Sequence, residues 1–288
     1  MSILLNRETK VLVQGITGKI GRVQTKWMLE YGTRIVAGVT PGKGGEEVEG
    51  VPVYDTVAEA VSKQGAEASV FFVPAGAVKG AALETIEAGI GLTVVITERV
   101  PVHDVMEIRA RAQERGVQFV GPNTPGIITP GEAKIGIMPG TTFIPGHIGI
   151  ISRSGTLSYE LSADLAAVGL GQSTVVGMGG DPVVFTNMPE LLEFFEKDPN
   201  TELVVIIGEV GGAQEEKAAQ FIAQQMTKPV IAYIAGLNAP EGKRMGHAGA
   251  IIQEGMGTPQ SKIAAFREAG VSVAEYPLEV AELARKCL

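Results

Sequence analysis

The sequence predicts an α/β protein composed of two similar halves, and three observations support that fold class. Short apolar runs alternate with segments of helical periodicity, which is the pattern of βαβ units. Glycine accounts for 38 of the 288 residues and aromatic residues for only 5%, a balance typical of α/β proteins with tight strand-to-helix turns. With 45% hydrophobic residues, a chain of this length is long enough for two domains that each have a core.

The first half alternates five apolar runs with four helical patterns. Parallel strands joined by right-handed helical crossovers form a doubly wound sheet. The strands are predicted at residues 10–14, 34–40, 69–73, 92–97 and 118–120, and the helices at 19–31, 57–62, 77–88 and 102–114. We therefore place the first domain at residues 1–122.

A proline-rich stretch separates this half from a second series of strands and helices. Residues 121–146 lack a helical pattern and contain five prolines, so we interpret residues 123–146 as the connection between two domains. The second strands are predicted at 147–152, 173–177, 203–208, 229–234 and 271–273, and the helices at 156–168, 189–197, 213–225, 261–269 and 278–287. These elements predict a second α/β domain at residues 147–288.

Composition and charge exclude several classes of protein. The formal net charge of −8 argues against nucleic-acid binding, which needs clustered Lys and Arg. No apolar run reaches the roughly 18 residues of a membrane span, and no signal or transit peptide pattern opens the sequence. The only cysteine, Cys287, excludes an intrachain disulfide and a Cys-rich metal site. We expect no metal held by this chain and a cytoplasmic location, or the mitochondrial matrix in a eukaryote.

A glycine loop follows the first predicted strand and opens the first helix. Its sequence, Gly15-Ile-Thr-Gly18-Lys-Ile-Gly21, permits a tight turn and close approach of backbone N–H groups to a phosphate. The spacing is only related to the dinucleotide fingerprint and is a weak signal by itself. The acidic residue that NAD needs after the second strand is absent, since Thr40 stands there. Lys43 on the following turn suits a ribose phosphate, as in coenzyme A or NADP, unless it is a solvated turn residue.

A histidine loop after the fourth strand of the second half is the most informative motif. His247 lies among glycines, and Lys243 and Arg244 add positive charge that suits a phosphoryl group. Glu209 ends the preceding strand among glycines, and we expect these to leave its carboxylate accessible. Ligands gather at the carboxyl ends of parallel strands, so the two side chains together predict a phosphohistidine site. The competing interpretation is a surface turn with an incidental histidine.

A helix start near the same sheet edge provides a place for negative charge. Ser154, Gly155 and Thr156 leave the first strand of the second half and open a helix, whose free N–H groups form an anion site. The other two histidines have no such surroundings. His103 lies at a predicted helix start and His147 in the interdomain turn, and we interpret both as structural.

With these motifs, the chain resembles the α subunits of succinate–CoA ligase over essentially its whole length. The resemblance implies a Rossmann-like domain that binds coenzyme A, followed by a flavodoxin-like domain. It also implies a partner β subunit in an αβ or α2β2 assembly, whose ATP-grasp domain binds ATP or GTP with Mg²⁺. The similar segments lie at residues 15–18, 40–45, 136–140, 151–157, 179–182, 208–212 and 242–251, and the last of these is highly specific.

The resemblance assigns roles to individual residues. His247 is the residue that NTP phosphorylates, Glu209 orients it, and Tyr159 lies at a substrate site shared with the β subunit. Phosphate passes from His247 to a carboxylate such as succinate, and the coenzyme A thiol then attacks the acyl phosphate and releases phosphate. The implied coenzyme A contacts are Thr17, Gly18, Lys19, Ile20, Lys43, Ile96, Thr97 and Glu98.

Four residues depart from the family pattern, and they leave the acyl substrate open. Ile20 replaces a frequent Gln, and Thr124 replaces a Cys, which indicates that this thiol is dispensable. Arg99 and Phe185 each replace a Gly and could alter the acyl pocket, so a related ligase acting on citrate or malate is the first alternative. An NADP-dependent dehydrogenase leaves the histidine loop unexplained, and a coenzyme A sensor without catalysis is the third hypothesis.

Overall fold

Two seven-stranded sheets flanked by helices form the computed structural model, which describes residues 3–253 and 255–288. The first sheet has the order β3-β4-β2-β1-β5-β6-β7. Its strands are β1 Val11–Gln14, β2 Ile35–Val39, β3 Glu47–Val48, β4 Val51–Tyr54, β5 Ala68–Phe71, β6 Leu92–Val95 and β7 Gln118–Val120. The helices between them are α1 Lys19–Tyr31, α2 Val57–Gln64, α3 Val78–Glu87 and α4 Val102–Arg115.

The second sheet has the order β14-β13-β12-β10-β11-β8-β9. Its strands are β8 Gly126–Thr129, β9 Ala133–Gly136, β10 Pro145–Ser152, β11 Gln172–Gly177, β12 Leu203–Glu209, β13 Val230–Ala235 and β14 Ser272–Ala274. The helices are α5 Gly155–Ala167, α6 Met188–Lys197, α7 Gln214–Gln225, α8 Pro259–Glu268 and α9 Pro277–Cys287. The predicted α/β class with two doubly wound halves is confirmed. None of the helices in the described ranges is long and apolar enough to cross a membrane.

The stretch interpreted as the connection between the domains contains two strands of the second sheet. β8 pairs with β11 in antiparallel orientation, and β9 pairs with β8, so residues 126–136 add two strands that the sequence did not predict. A Cβ on Gly126 would lie 2.0 Å from the carbonyl oxygen of Ile135, which explains why a glycine stands inside this strand. His147, expected in an interdomain turn, lies within β10. The domain limits at residues 122 and 147 stay predictions.

Helix starts differ in a way that bears on ligand binding. Asn187 caps α6 and forms a reciprocal capping box with Glu190, which satisfies N–H groups of the first turn. By contrast, Gly18 is the N-cap residue of α1 and provides no side-chain cap. The uncapped N–H groups of α1 therefore stay available to an anion, as the glycine loop predicts.

The two halves share a packed core. One cluster of buried apolar side chains includes Val13 and Val70 of the first sheet together with Ile127 and Val176 of the second. Hydrogen bonds reinforce this contact, since Thr33 Oγ1 donates to the carbonyl of the buried second-sheet residue Lys134 at 2.7 Å. The glycine loop at the end of β1 and the histidine loop after β13 are thus held on one rigid support.

Candidate active site

His247 lies in the loop after β13 and forms a hydrogen bond with Glu209, the last residue of β12. Its Nδ1 is 2.9 Å from Oε2 and 3.1 Å from Oε1 of that carboxylate. A neutral imidazole that donates from Nδ1 keeps a lone pair on Nε2. The hydrogen bond to Glu209 raises the pKa of His247 above its ordinary value, although burial opposes this. The structure therefore brings together the two residues predicted to carry the chemistry.

Glycines hold the imidazole ring in place from the opposite side. A Cβ on Gly180 would lie 2.5 Å from Cγ of His247, so a side chain there would displace the ring. The N–H of Gly249 donates to the carbonyl of Gly180 at 3.0 Å, which ties the histidine loop to the segment after β11. Gly246, immediately before the histidine, has a φ of +93°, a conformation that glycine adopts without steric cost.

Glu209 is buried, contrary to the expectation that neighbouring glycines leave it accessible. It is 7% exposed, and the side chain of Arg153 covers it, with Nη2 3.4 Å from Oε1. Nη1 of the same guanidinium donates to the carbonyl of Gly211 at 2.8 Å. Because it is paired with a cation, the carboxylate can remain charged away from water.

A chain of buried ion pairs continues behind Glu209, and we did not predict it. Arg153 Nη1 donates to Glu215 Oε1 at 3.0 Å, and Lys262 Nζ pairs with the other oxygen of Glu215. Burial alone would raise the pKa of Glu215, but the charges of Arg153 and Lys262 outweigh it and lower that pKa. Glu215 and Lys262 are fully buried. The orienting carboxylate is therefore the outermost member of a buried, alternating series of charges.

The predicted anion site at the start of α5 adjoins this series. Ser154 caps the helix, and its hydroxyl accepts the N–H of Leu157 at 3.3 Å. The N–H groups of Gly155 and Thr156 have no protein acceptor within the described ranges. Burial raises the pKa of Tyr159 to about 12, so its phenol stays protonated near neutral pH. Within the described residues, 3–253 and 255–288, no hydrogen bond joins Ser154, Thr156 or Tyr159 to His247.

An apolar cavity gathers four of the residues implied for coenzyme A. It has a volume of about 390 Å³ and lies at the carboxyl ends of β5 and β6. A mostly apolar cavity suits the apolar parts of a ligand, and its few polar groups fix the orientation of that ligand. The lining residues are Ile20, Phe71, Phe72, Val73, Pro74, Ile96, Thr97 and Glu98.

The glycine loop lies close to the turn that carries Lys43, whose N–H donates to the carbonyl of Thr40. Thr17 Oγ1 donates to Thr40 Oγ1 at 3.2 Å, which places the loop next to the end of β2. A Cβ on Gly18 would lie 3.2 Å from the carbonyl oxygen of Gly15, so the loop is tight. Lys19 begins α1. Lys43 is half exposed, and its Nζ pairs with Glu46 Oε1 at 3.0 Å, so the lysine can exchange this partner for a phosphate.

Asn123 connects the backbone at Thr97 with Gly180 and Asp181, which follow β11. Its N–H donates to the carbonyl of Thr97 at 3.0 Å, and its own carbonyl accepts the N–H of Gly180 at 3.2 Å. Its side-chain amide donates to Asp181 Oδ1 at 3.0 Å. Asn123 has a positive φ of 55°, which is uncommon outside glycine and costs conformational energy. This residue escaped prediction, because no local pattern distinguishes it within its proline-rich segment.

Two of the departures from the family pattern make buried contacts, and a third, Arg99, is exposed at a position with positive φ. Thr124 is buried, and its hydroxyl donates to the carbonyl of Gly177 and accepts the N–H of Gly126. Phe185 packs against Phe119 with ring centroids 5.3 Å apart, inside a buried apolar cluster. Arg99 has a φ of +61° and an exposed side chain beside Glu98.

The remaining histidines lie outside this arrangement. His103 is an exposed residue of the first turn of α4. His147 Nδ1 lies 3.0 Å from the backbone oxygen of Asn200. Within the described part of the chain, no group of three or more His, Cys, Asp or Glu residues is arranged to hold a metal ion.

Both halves match models of known protein families. Residues 6–99 match the CoA binding domain, and residues 151–272 match the CoA-ligase family. The first match contains the glycine loop and the apolar cavity, and the second contains Arg153, Glu209 and His247. The order of the two matches agrees with the order of the two sheets.

The chain is also similar to curated proteins over its full length. Subunit alpha 2 of the ADP-forming succinate–CoA ligase of Archaeoglobus fulgidus is 56% identical over 288 residues, which is 100% of each chain. The corresponding subunit alpha of Aquifex aeolicus is 54% identical, covering 100% of this chain and 95% of the other. Among solved structures, an ATP citrate lyase of Methanosaeta concilii in complex with (3S)-citryl-CoA has a TM-score of 0.89 at 25% identity. The alignment covers 99% of this chain and 52% of that one.

Proposed function

Because the chain belongs to the family of succinate–CoA ligase α subunits, we propose that it forms succinyl-CoA from succinate, coenzyme A and ATP with phosphate carried on His247. The observation that carries this proposal is the hydrogen bond from His247 Nδ1 to Glu209, which leaves Nε2 as the nucleophilic nitrogen. Histidine is a recognised nucleophile in covalent catalysis when a neighbouring group sets its tautomer.

The side chains around His247 fit each phase of phosphate transfer. Glu209 holds the proton on Nδ1 and offsets the positive charge that develops on the ring as Nε2 bonds to phosphorus. The phosphorylated ring gains negative charge, and the free N–H groups of Gly155 and Thr156 at the start of α5 can donate hydrogen bonds to the phosphoryl group. Tyr159 in the same helix carries a protonated phenol that can donate to the acid substrate.

Coenzyme A fits the first half of the chain and supplies the thiol that receives the succinyl group. The residues that would hold it divide into two kinds of contact. The backbone of Thr17, Gly18 and Lys19 and the ammonium of Lys43 suit phosphate, because N–H groups and cations bind anions. Ile20 and residues 96–98 line the apolar cavity and suit the uncharged part of the molecule.

Succinate and ATP are the substrates that the relatives support. The curated relatives named as succinate–CoA ligases share 50–56% identity with this chain, whereas the ATP citrate lyase shares 25%. These succinate–CoA ligases are named as ADP-forming, which favours ATP over GTP as the nucleotide. Phe185 is buried against Phe119, which gives no support to a citrate-specific role for its ring.

The subunit name of the relatives also implies a partner. We propose a β subunit with an ATP-grasp domain, which binds the nucleotide with Mg²⁺ and completes the substrate site near Tyr159. Complexes of one or of two αβ pairs are both compatible with the chain. The complex would work in the cytoplasm, where ATP and coenzyme A are available.

Mapping of the phosphate tests the proposed function directly. The complex of this chain with its β subunit is exposed briefly to ATP and Mg²⁺, and peptides are analysed by mass spectrometry under conditions that preserve acid-labile phosphate. We expect phosphate on His247 and none on His103 or His147. Phosphate on another residue would overturn the mechanism, and a complex that binds coenzyme A but never becomes phosphorylated would favour a sensor without catalysis.

Replacing Lys43 by alanine is expected to weaken coenzyme A binding to the complex. A hydrogen bond between a lysine and a phosphate is charge-assisted, and its loss costs about 1–3 kcal/mol, or about 5- to 150-fold in Kd. Isothermal titration of coenzyme A measures the change. Glu46→Gln is the matched control, since it removes the ion-pair partner of Lys43 and should leave binding equal or stronger. Unchanged affinity in Lys43→Ala would show that the lysine is only a turn residue.

A further inference from the structure

Asp181 is a buried carboxylate for which the mechanism above has no use. It is 8% exposed, and its Oδ1 accepts one hydrogen bond, from Asn123. No lysine, arginine or histidine of residues 3–253 and 255–288 forms an ion pair with it. The buried carboxylates Glu209 and Glu215, by contrast, are both paired with Arg153. A buried acid that lacks a cation is costly to retain and marks a candidate functional group.

Asp181 lies close to His247 and is connected to the segment implied for coenzyme A. It directly follows Gly180, which packs against the imidazole ring of His247. Asn123 bridges it to the coenzyme A segment, because its side-chain amide donates to Asp181 and its backbone N–H donates to the carbonyl of Thr97. The side chain of Asp181 also lines a cavity of about 460 Å³ beside the histidine loop. The carboxylate therefore lies between His247, proposed to carry phosphate, and Thr97, proposed to contact coenzyme A.

We propose that Asp181 is the general base that accepts the thiol proton of coenzyme A when the thioester forms. The proposal rests on the proposed function and adds one catalytic residue to it. A bond forms between the sulfur and the acyl carbon of succinyl phosphate, and the bond from that carbon to the phosphate oxygen breaks. The thiol proton passes to an oxygen of Asp181, and inorganic phosphate leaves with the electron pair of the broken bond.

The surroundings of Asp181 strengthen it as a base. Burial raises its pKa above the ordinary value, and the charge of Glu98 adds to this, whereas the hydrogen bond from Asn123 and the charge of His247 oppose it. A carboxylate with a raised pKa comes closer to the pKa of a thiol, which is about 8.5 for a cysteine side chain, and this makes proton transfer more efficient. The other charged groups that line the cavity are Arg153, Lys217 and Arg244.

The Asp181→Asn variant of the αβ complex separates this role from a structural one. Asparagine has the same shape and keeps an oxygen that accepts from Asn123, so a structural role would survive the change. Phosphorylation of His247 by ATP and the Kd for coenzyme A should stay within twofold of the parent enzyme. Thioester formation from the phosphorylated complex, succinate and coenzyme A should fall by about 10²–10⁴-fold, which is the usual contribution of a general base.

The pH profile provides a second readout. The thiolate that Asp181 no longer generates must come from solution, so the residual rate should rise about tenfold per pH unit up to about pH 8.5. Asp198→Asn is the matched control, because Asp198 is also buried and its carboxylate accepts from the backbone N–H of Asn200 and the hydroxyl of Thr201. That control should keep the parent rate and profile.

The possible results are distinct. A parent-like thioester rate in Asp181→Asn, or loss of His247 phosphorylation in that variant, would overturn the role as thiol base. A residual rate that does not depend on pH would also overturn it. Absence of phosphate from His247 in the parent enzyme would instead refute the proposed function, so the two failures can be told apart.

Discussion

Replacing His247 by asparagine is expected to abolish phosphoenzyme formation and succinyl-CoA synthesis while coenzyme A binding is kept. The amide can still donate a hydrogen bond to Glu209, but it offers no nitrogen lone pair that attacks phosphorus. Deletion of a nucleophile lowers turnover on the order of 10⁶-fold. A coupled assay of ADP release and titration of coenzyme A measure the two effects.

The matched control for His247→Asn is His103→Asn. His103 is exposed in the first turn of α4, so its replacement should change neither phosphorylation nor turnover. Glycine turns rather than core contacts surround His247. The midpoint temperature of thermal unfolding of the asparagine variant should therefore equal that of the parent protein. Residual turnover within tenfold of the parent would rule out phosphate transfer through this histidine.

Replacing Arg153 by methionine is expected to destabilise the chain by about 3–5 kcal/mol, the range for breaking a buried ion pair. Lys262, the remaining buried cation of the series, contacts Glu215 and Glu216 but not Glu209. Urea unfolding measures the loss as a shift in midpoint. A second replacement, Glu215→Gln, removes one of the two negative charges that Arg153 balanced, while Lys262 keeps Glu216 as a partner, and it should restore part of the stability.

An exposed ion pair provides the control for this effect. Lys26 and Glu30 lie 3.9 Å apart on the outer face of α1, and Lys26→Met should cost less than about 1 kcal/mol. An equally small loss in Arg153→Met would show that water reaches Glu209 once the guanidinium is removed, and that the pairing contributes little.

The same arginine also sets the pH range of phosphorylation. Glu209 raises the pKa of His247, and the positive charge of Arg153 opposes that rise. Without Arg153 the pKa of His247 is higher, so the neutral imidazole predominates only at higher pH. The acidic limb of the phosphorylation rate in folded Arg153→Met enzyme should accordingly move to higher pH.

Most strands could be predicted because they are apolar runs, buried on both faces, that alternate with helical patterns. β12 shows this best, with seven consecutive buried residues, and a run of this kind indicates a central parallel strand. β8 and β9 are equally buried, but glycines and prolines flank them and no helical pattern separates them. In a single sequence such residues indicate a turn more strongly than a strand.

The pairing of His247 with Glu209 was predictable from topology, since β12 and β13 are neighbours and both side chains follow their carboxyl ends. Arg153 follows β10, the other neighbour of β12, so the same argument could have placed it there. Glu215 and Lys262 could not be found in this way. They lie on α7 and α8, and strand order does not determine how a helix is rotated about its axis.

The alternating buried charges restrict how these residues can be replaced in evolution. Lys262, Glu215, Arg153 and Glu209 carry two positive and two negative charges, and each touches the next. A single replacement that removes the charge at any of these positions leaves an unmatched charge where water is absent. Replacements that remove one charge of each sign avoid that cost. We therefore expect the charges at these four positions to change together, or not at all, among related sequences.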